Sequence, residues 1–296
     1  MHIHDSLYIK LNISFKVVYL NYNMSSDQPN FILIDGSYFI FYRFYAILNW
    51  FKLAKKDQII DKENPPCDNE EFMSKFIKTF QTKILDIPKK LNITNPIILV
   101  GKDCPRKTIW RMKHLQTYKA NRVYDDTFLG GPFFAKAYND NLFQKGGAKT
   151  ILSYPQLEAD DCLAIVTKNI VSKYPEANIY IITSDMDYLQ LARDNVHIYD
   201  LKFNKLTEKK SSFNDPEKDL FVKILTGDKS DNISGVFKKC GPKTACKYYD
   251  DKELFKTKLE NIEGAMERYL LNKKMIDFNE IPENLIKEFK TTYDIL

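Results

Sequence analysis

The sequence is poor in the features that mark several large protein classes. Its five cysteines, at 67, 104, 162, 240 and 246, are odd in number and include no Cys-x-x-Cys pair. That argues against a disulfide framework and a thiolate zinc cluster, and points to an intracellular, reducing compartment. No apolar run approaches the roughly 20 residues of a membrane helix, so no membrane partner is expected. Ten glycines and 12 prolines in 296 residues exclude collagen-like and Gly/Pro low-complexity chains. No arginine precedes Arg43, and the apolar stretch 13–20 is broken by Lys16 with no small-residue cleavage site after it. A transit or signal peptide is therefore a poor reading of this end. Residues 1–30 are expected to be an extension outside the core, with Met24 just before a polar stretch.

What the chain does have is apolar and aromatic substance. Apolar residues make up 44% and aromatics 14%, with 20 Phe and 18 Tyr. A disordered chain would be poor in both. The length allows one or two domains. Lys and Arg number 44 against 39 Asp and Glu, a formal charge of +5 that permits a polyanionic partner without requiring one.

Short unbroken apolar runs at 31–35, 96–101, 178–183 and 196–199 read as buried strands. Between them, residues 37–55, 70–90 and 157–173 read as helices; the second carries apolar side chains at a 3.6-residue period. This alternation predicts an α/β fold with a parallel sheet covered on both faces. Ligands in such sheets bind beyond the carboxyl ends of the strands. Three of the runs end at or near an aspartate: Asp35, Asp103 and Asp185.

More acids cluster in short motifs. Glu158, Asp160 and Asp161 open a helix, Asp185 and Asp187 follow the third strand, and Asp228 and Asp231 lie in a Gly-Asp-Lys-Ser-Asp-Asn turn. Each set alone fits local chemistry, as helix-start acids or turn residues. Nine carboxylates at one sheet edge would repel one another strongly. An all-oxygen set of this kind suits Mg²⁺, with Mn²⁺ as a substitute. Paired ions in a carboxylate nest suit phosphodiester hydrolysis.

Residues 102–122 hold seven basic side chains, among them Arg106, Lys107, Arg111, Lys119 and Arg122, against one acid. Trp110 and Tyr118 are interleaved with them. Basic groups bind phosphate and aromatic faces stack on unpaired bases, so a nucleic-acid strand is the simpler reading beside an acidic cluster. A second basic stretch runs from 235 to 258. Its Gly241-Pro242-Lys243-Thr244 turn would let backbone N–H groups and a helix N-terminus approach a phosphate.

In order along the chain, Asp35-Gly36, Asp103, Trp110-Arg111 with Tyr118 to Arg122, Glu158 to Asp161, Thr183 to Asp187, and Gly227 to Asn232 with the following glycine turn resemble the 5′-nuclease superfamily. That family includes flap endonucleases, phage 5′–3′ exonucleases and the 5′-nuclease domain of DNA polymerase I. The resemblance covers roughly residues 31–250. It implies a PIN-like (Rossmann-like) core at 31–215 with a helical arch at about 104–147. A helix–three-turn–helix DNA-binding element and C-terminal helices would follow at 216–296. By resemblance, Asp35, Asp103, Glu158 and Asp160 would hold one Mg²⁺, with Asp161 in support. Asp185, Asp187, Asp228 and Asp231 would serve a second. Tyr118 would stack near the 5′ nucleotide, while Lys119 and Arg122 would contact the scissile phosphate. Arg106, Lys107 and Arg111, with Gly235, Lys238, Lys239, Gly241, Lys243 and Thr244, would contact DNA. The activity implied is 5′–3′ exonuclease and flap endonuclease cleavage of DNA bearing 5′ single-stranded ends, by a monomer, with RNA–DNA hybrid as a further substrate. The hairpin departs from the family pattern: residues 237–240 (Phe-Lys-Lys-Cys) make it one residue longer and one glycine poorer. Either K⁺ serves there as in the family, or Lys238 and Lys239 replace it as point charges. A PIN-type ribonuclease and a non-catalytic DNA-junction binder stand as the alternatives.

Overall fold

Every apolar run read as a strand becomes one. β1 (Asn30–Asp35) sits between β2 (Ile97–Gly101) and β4 (Asn178–Ile182). The three-residue β3 (Thr150–Leu152) and β5 (Val196–Tyr199) form the edges, giving a parallel sheet ordered β3-β2-β1-β4-β5. β3 escaped the sequence reading because three residues carry no periodic signal. The computed structural model describes residues 29–122 and 127–294. Nearly all of the expected N-terminal extension, and part of the expected arch, lie outside those residues.

Alternation along β1 divides the core. Ile32 and Ile34 face α1 (Gly36–Ala54), α2 (Glu70–Lys90) and α3 (Gly131–Asn139) in a layer rich in phenylalanine. Phe39 meets Phe80 edge-on at 4.9 Å, and Phe76 meets Phe133 at 4.8 Å. Edge-to-face rings at such distances add to the burial term of about 1.5–3 kcal/mol per side chain. The four-residue helix α4 (Leu142–Lys145) adds Phe143 to this layer. Phe31 and Leu33 face the other way, onto α5 (Ala159–Lys173). The expected arch span therefore divides: 106–122 is a series of tight turns, whereas α3 and α4 are built into the core.

Past the sheet the chain is helical: α6 (Pro216–Thr226), α7 (Pro242–Asp250), α8 (Lys252–Glu260) and α9 (Ala265–Ile276). Val222, Leu225, Val236, Phe237, Tyr248 and Leu259 form their own small core. A last helix, α10 (Glu283–Thr292), returns to the sheet, where Leu285 and Phe289 cover the α5 side. Among the described residues no helix is long and apolar enough to cross a membrane.

The strand order fixes where a ligand can sit. The chain leaves β1 for β2 and β3 on one side, then crosses back for β4 and β5 on the other. The crevice at the carboxyl end of β1 is the topological switch point.

Candidate metal centre and nucleic-acid surface

Asp35 ends β1 and caps α1, accepting the Tyr38 N–H at 3.0 Å. The hydroxyl of Thr183, just after β4, donates to Asp35 Oδ2 at 3.2 Å and accepts the Asp185 N–H at 3.1 Å. Asp185 in turn accepts the Asp187 N–H at 2.9 Å. Asp103, two residues past β2, accepts from the Ser37 hydroxyl at 2.6 Å and from the Ala159 N–H at 2.9 Å. The ends of β1, β2 and β4 and the start of α5 thus converge. Local capping and the shared site are two uses of the same side chains.

At the start of α5, Asp161 is fully buried and saturated. It accepts from Trp110 Nε1 at 2.9 Å, from both terminal nitrogens of Arg111 at 2.8 Å, and from the Glu158 N–H at 3.1 Å. Four bonds on two oxygens make it a supporting group rather than an open ligand. Glu158, Asp160 and Asp161 still offer oxygens within 4.8 Å of one another.

The second group hangs on lysines. Lys223, in the last turn of α6, bridges Asp187 at 2.7 Å and Asp228 at 2.6 Å. Asp228 also accepts the Ser230 N–H and hydroxyl, both at 2.7 Å. Gly227 enables this turn: its φ is +71°, and a β-carbon there would lie 2.4 Å from the Ile233 carbonyl oxygen. Lys119 joins the two groups, pairing its ammonium with Glu158 and standing 3.7 Å from Asp231. Arg122 pairs with Asp231 from a half-exposed position.

The electrostatics follow from crowding. Burial, then the Asp103 charge, pushes Asp35 up to about 6. Burial and Asp185 push Asp187 up to about 7. Asp160 is raised well above the ordinary carboxylate range by burial and by Asp161. Against the same burial, Lys119 and Arg111 hold Glu158 below the usual range, and Lys223 holds Asp228 down at about 2. The basic side chains therefore neutralise part of the cluster and leave the rest wanting cationic charge. All candidate ligands are oxygen. Two thiols come near, but burial and the carboxylates push Cys104 up to about 11 and Cys162 well above the usual thiol range. Protonated thiols are poor ligands, so the donor set fits a hard divalent ion.

Three expectations need correcting. Arg111 is not on a DNA-facing surface; it is 2% exposed and locked against Asp161, Glu158 and the Met275 carbonyl. Tyr118 offers no stacking face; its ring is buried and its hydroxyl lies 3.0 Å from Glu158 and 3.2 Å from Asp231. Trp110 is buried as Asp161's donor. Arg106 and Lys107 are exposed, and Arg106 donates to the carbonyls of Lys119 and Arg122.

The glycine turn follows Asp228 and Asp231 in the connection between α6 and α7. Phe237 is buried in the helical core, and Lys238 and Lys239 are exposed. Lys239 adopts the left-handed conformation, with φ +59°. A lysine thus makes a bend that glycine makes without strain. Gly241 and Lys243 are exposed, Gly235 and Thr244 half-buried, and Pro242 opens α7.

The model of the family described as 5′–3′ exonuclease, N-terminal resolvase-like domain, matches residues 30–218. The chain belongs to this family. A 5′–3′ exonuclease of Buchnera aphidicola from Acyrthosiphon pisum is 30% identical over 222 residues, 72% of this chain and 68% of that one. The 5′–3′ exonuclease of Mycoplasmopsis pulmonis is 28% identical over 284 residues, 89% of this chain and 85% of that one. In fold, the chain resembles the flap endonuclease of bacteriophage T5 in a complex with DNA and metal ions. That likeness has a TM-score of 0.61 at 20% identity, and covers 90% of this chain and 97% of the phage protein. The protein is a nuclease of the 5′–3′ exonuclease family on an α/β core, with an acidic cluster at the switch point.

Sequence reasoning found the carboxylates and missed their partners. Lys223 carries no signal of its own and Thr183 only that of the motif it opens; only the fold shows which acids they serve.

Proposed function

We propose that the protein is a Mg²⁺-dependent, structure-specific 5′ nuclease that hydrolyses DNA phosphodiesters as a 5′–3′ exonuclease and 5′-flap endonuclease. Removal of RNA primers and flaps during replication and repair is the process such an activity serves. One observation supports the reading: the carboxylates at the ends of β1, β2 and β4 and at the start of α5 lie beside the switch point, and lysine and arginine neutralise only part of them. Asp35, Asp103, Glu158 and Asp160 form one cation subsite, with Asp161 fixing the start of α5 behind them. Asp185, Asp187, Asp228 and Asp231 form the other. Divalent ions bound there supply Lewis-acid stabilisation of phosphate charge and activation of a water nucleophile.

The chain's own groups do the rest. Lys119 and Arg122, at the acidic rim, exchange a carboxylate partner for the scissile phosphate and stabilise its developing charge. Residues 104–122, with Arg106 and Lys107 outermost, form the near wall of an arch over the 5′ strand. Residues 216–296 supply a helix–three-turn–helix grip on duplex DNA. Its phosphate contacts are the exposed Lys238, Lys239 and Lys243 with the backbone of Gly235, Gly241 and Thr244 at the α7 N-terminus. The two lysines act there as point charges in place of K⁺, and the unit works as a monomer.

A 5′-flap DNA substrate tests the reading. Cleavage is expected with Mg²⁺ and none in EDTA, and Asp185→Asn should abolish turnover while flap binding survives. EDTA-resistant cleavage would defeat the mechanism. Preference for an RNA flap alone would favour a ribonuclease, and tight binding without cleavage a junction-binding protein. Lys119→Ala should lower the single-turnover rate about 10²-fold or more, the size of one preorganised electrostatic contact. A rate within twofold of the parent would remove Lys119 from that role.

A further inference from the structure

Behind the first cation subsite lies a group that the carboxylate pattern does not contain. Tyr138, on α3, points its hydroxyl at the start of α1: a β-carbon on Gly36 would sit 2.6 Å from that oxygen. Gly36 is thus the one residue type that lets the phenol reach past α1. The hydroxyl is fully buried and makes no hydrogen bond of proper geometry. Ser37 lies within reach of it without meeting that geometry, and the charges of Asp103 and Asp35 act on it. Ser37 commits its own proton to Asp103 at 2.6 Å. Lys102 lies over the Tyr138 ring, 4.4 Å from its centre, and pins the phenol in place. A buried polar group without a partner is unfavourable unless something else completes it.

We propose that Tyr138 is a positioning residue of the cation site, its hydroxyl completed only when a hydrated divalent ion is held by Asp35 and Asp103. Mg²⁺ retains several waters in protein sites, and those waters need acceptors around them. The phenol oxygen is such an acceptor, and once a water donates to it the O–H can turn toward the Ser37 hydroxyl. Burial and the two carboxylates raise its pKa above that of an ordinary phenol, so the proton stays on. This inference rests on the metal-dependent reading above.

Calorimetric titration of the metal-free, full-length protein with Mn²⁺ and with Mg²⁺ tests it, alongside thermal unfolding. The parent and Tyr138→Phe are compared. Tyr138→Phe should weaken ion binding about 10-fold or more, as the loss of outer-shell partners does elsewhere. Its metal-free unfolding temperature should be equal or higher, because an unpartnered hydroxyl has been removed. Equal ion affinity in the two proteins would overturn the proposal. So would weakened binding accompanied by a lower metal-free unfolding temperature, which is the mark of a packing role. If the parent itself binds no ion, the metal-dependent reading fails first. Asp35→Asn, which should lose the ion of the first subsite and keep that of the second, separates the two cases.

Discussion

The two halves of the carboxylate cluster have different anchors, although Lys119 also pairs with Glu158 in the first and Arg122 with Asp231 in the second. The half at the start of α5 is tied down by Arg111, which is buried, permanently charged and bonded to Asp161 through two nitrogens. The half beside α6 hangs on Lys223, a single ammonium shared between Asp187 and Asp228 and partly open to solvent. A guanidinium fork fixes geometry, whereas an ammonium is a point charge that can be displaced. The first half is therefore structural scaffolding as much as site. In the second, lysine occupies the place where cationic charge is called for.

Breaking the anchor of the first half should have the largest effect on folding. Arg111→Ala leaves Asp161, at 0% exposure, without its counter-charge. Removing one partner of such a pair costs about 3–5 kcal/mol. Chemical denaturation should show a loss of that order, and ion binding at the first subsite should weaken with it. A loss below about 1 kcal/mol would mean that water reaches Asp161 and that the anchor is not what orders this half.

The same contrast explains what the sequence made legible. Four of the strands could be read because their apolar runs are unbroken, and α2 because its apolar side chains recur at the helical period; the three-residue β3 could not. The acids could be read because they sit at strand ends and helix starts, where local patterns are strongest. Their partners could not. Arg111, Trp110 and Tyr118 stand in a segment whose composition resembles a nucleic-acid surface, and all three are turned inward by contacts with residues some 40 to 160 positions away. Charge is a property of the sequence; which charge meets which is a property of the fold. Lys223 and Tyr138 show the same from the other side. The first looks like one more helix lysine, the second like one more core aromatic, and only packing aims either at the site.

The smallest expected effect separates the halves by pH. Asp35 in the first half is raised to about 6, and Asp187 in the second to about 7, from an ordinary 3.8. In the metal-free fold both keep protons that the unfolded chain gives up. Their contribution to stability is complete below the ordinary value and is lost as pH rises through about 6 and 7. Asp228, held at about 2, works in the opposite sense, and its contribution is lost only in strong acid. A divalent ion needs the deprotonated carboxylates. Ion affinity should therefore rise with pH across that window, with proton release visible as a dependence of the calorimetric heat on the buffer's ionisation enthalpy. Asp35→Asn should remove the lower part of the release and Asp187→Asn the upper part. Flat affinity from about pH 5.5 to 7.5, with no proton release, would show that neither carboxylate holds a proton the ion must displace.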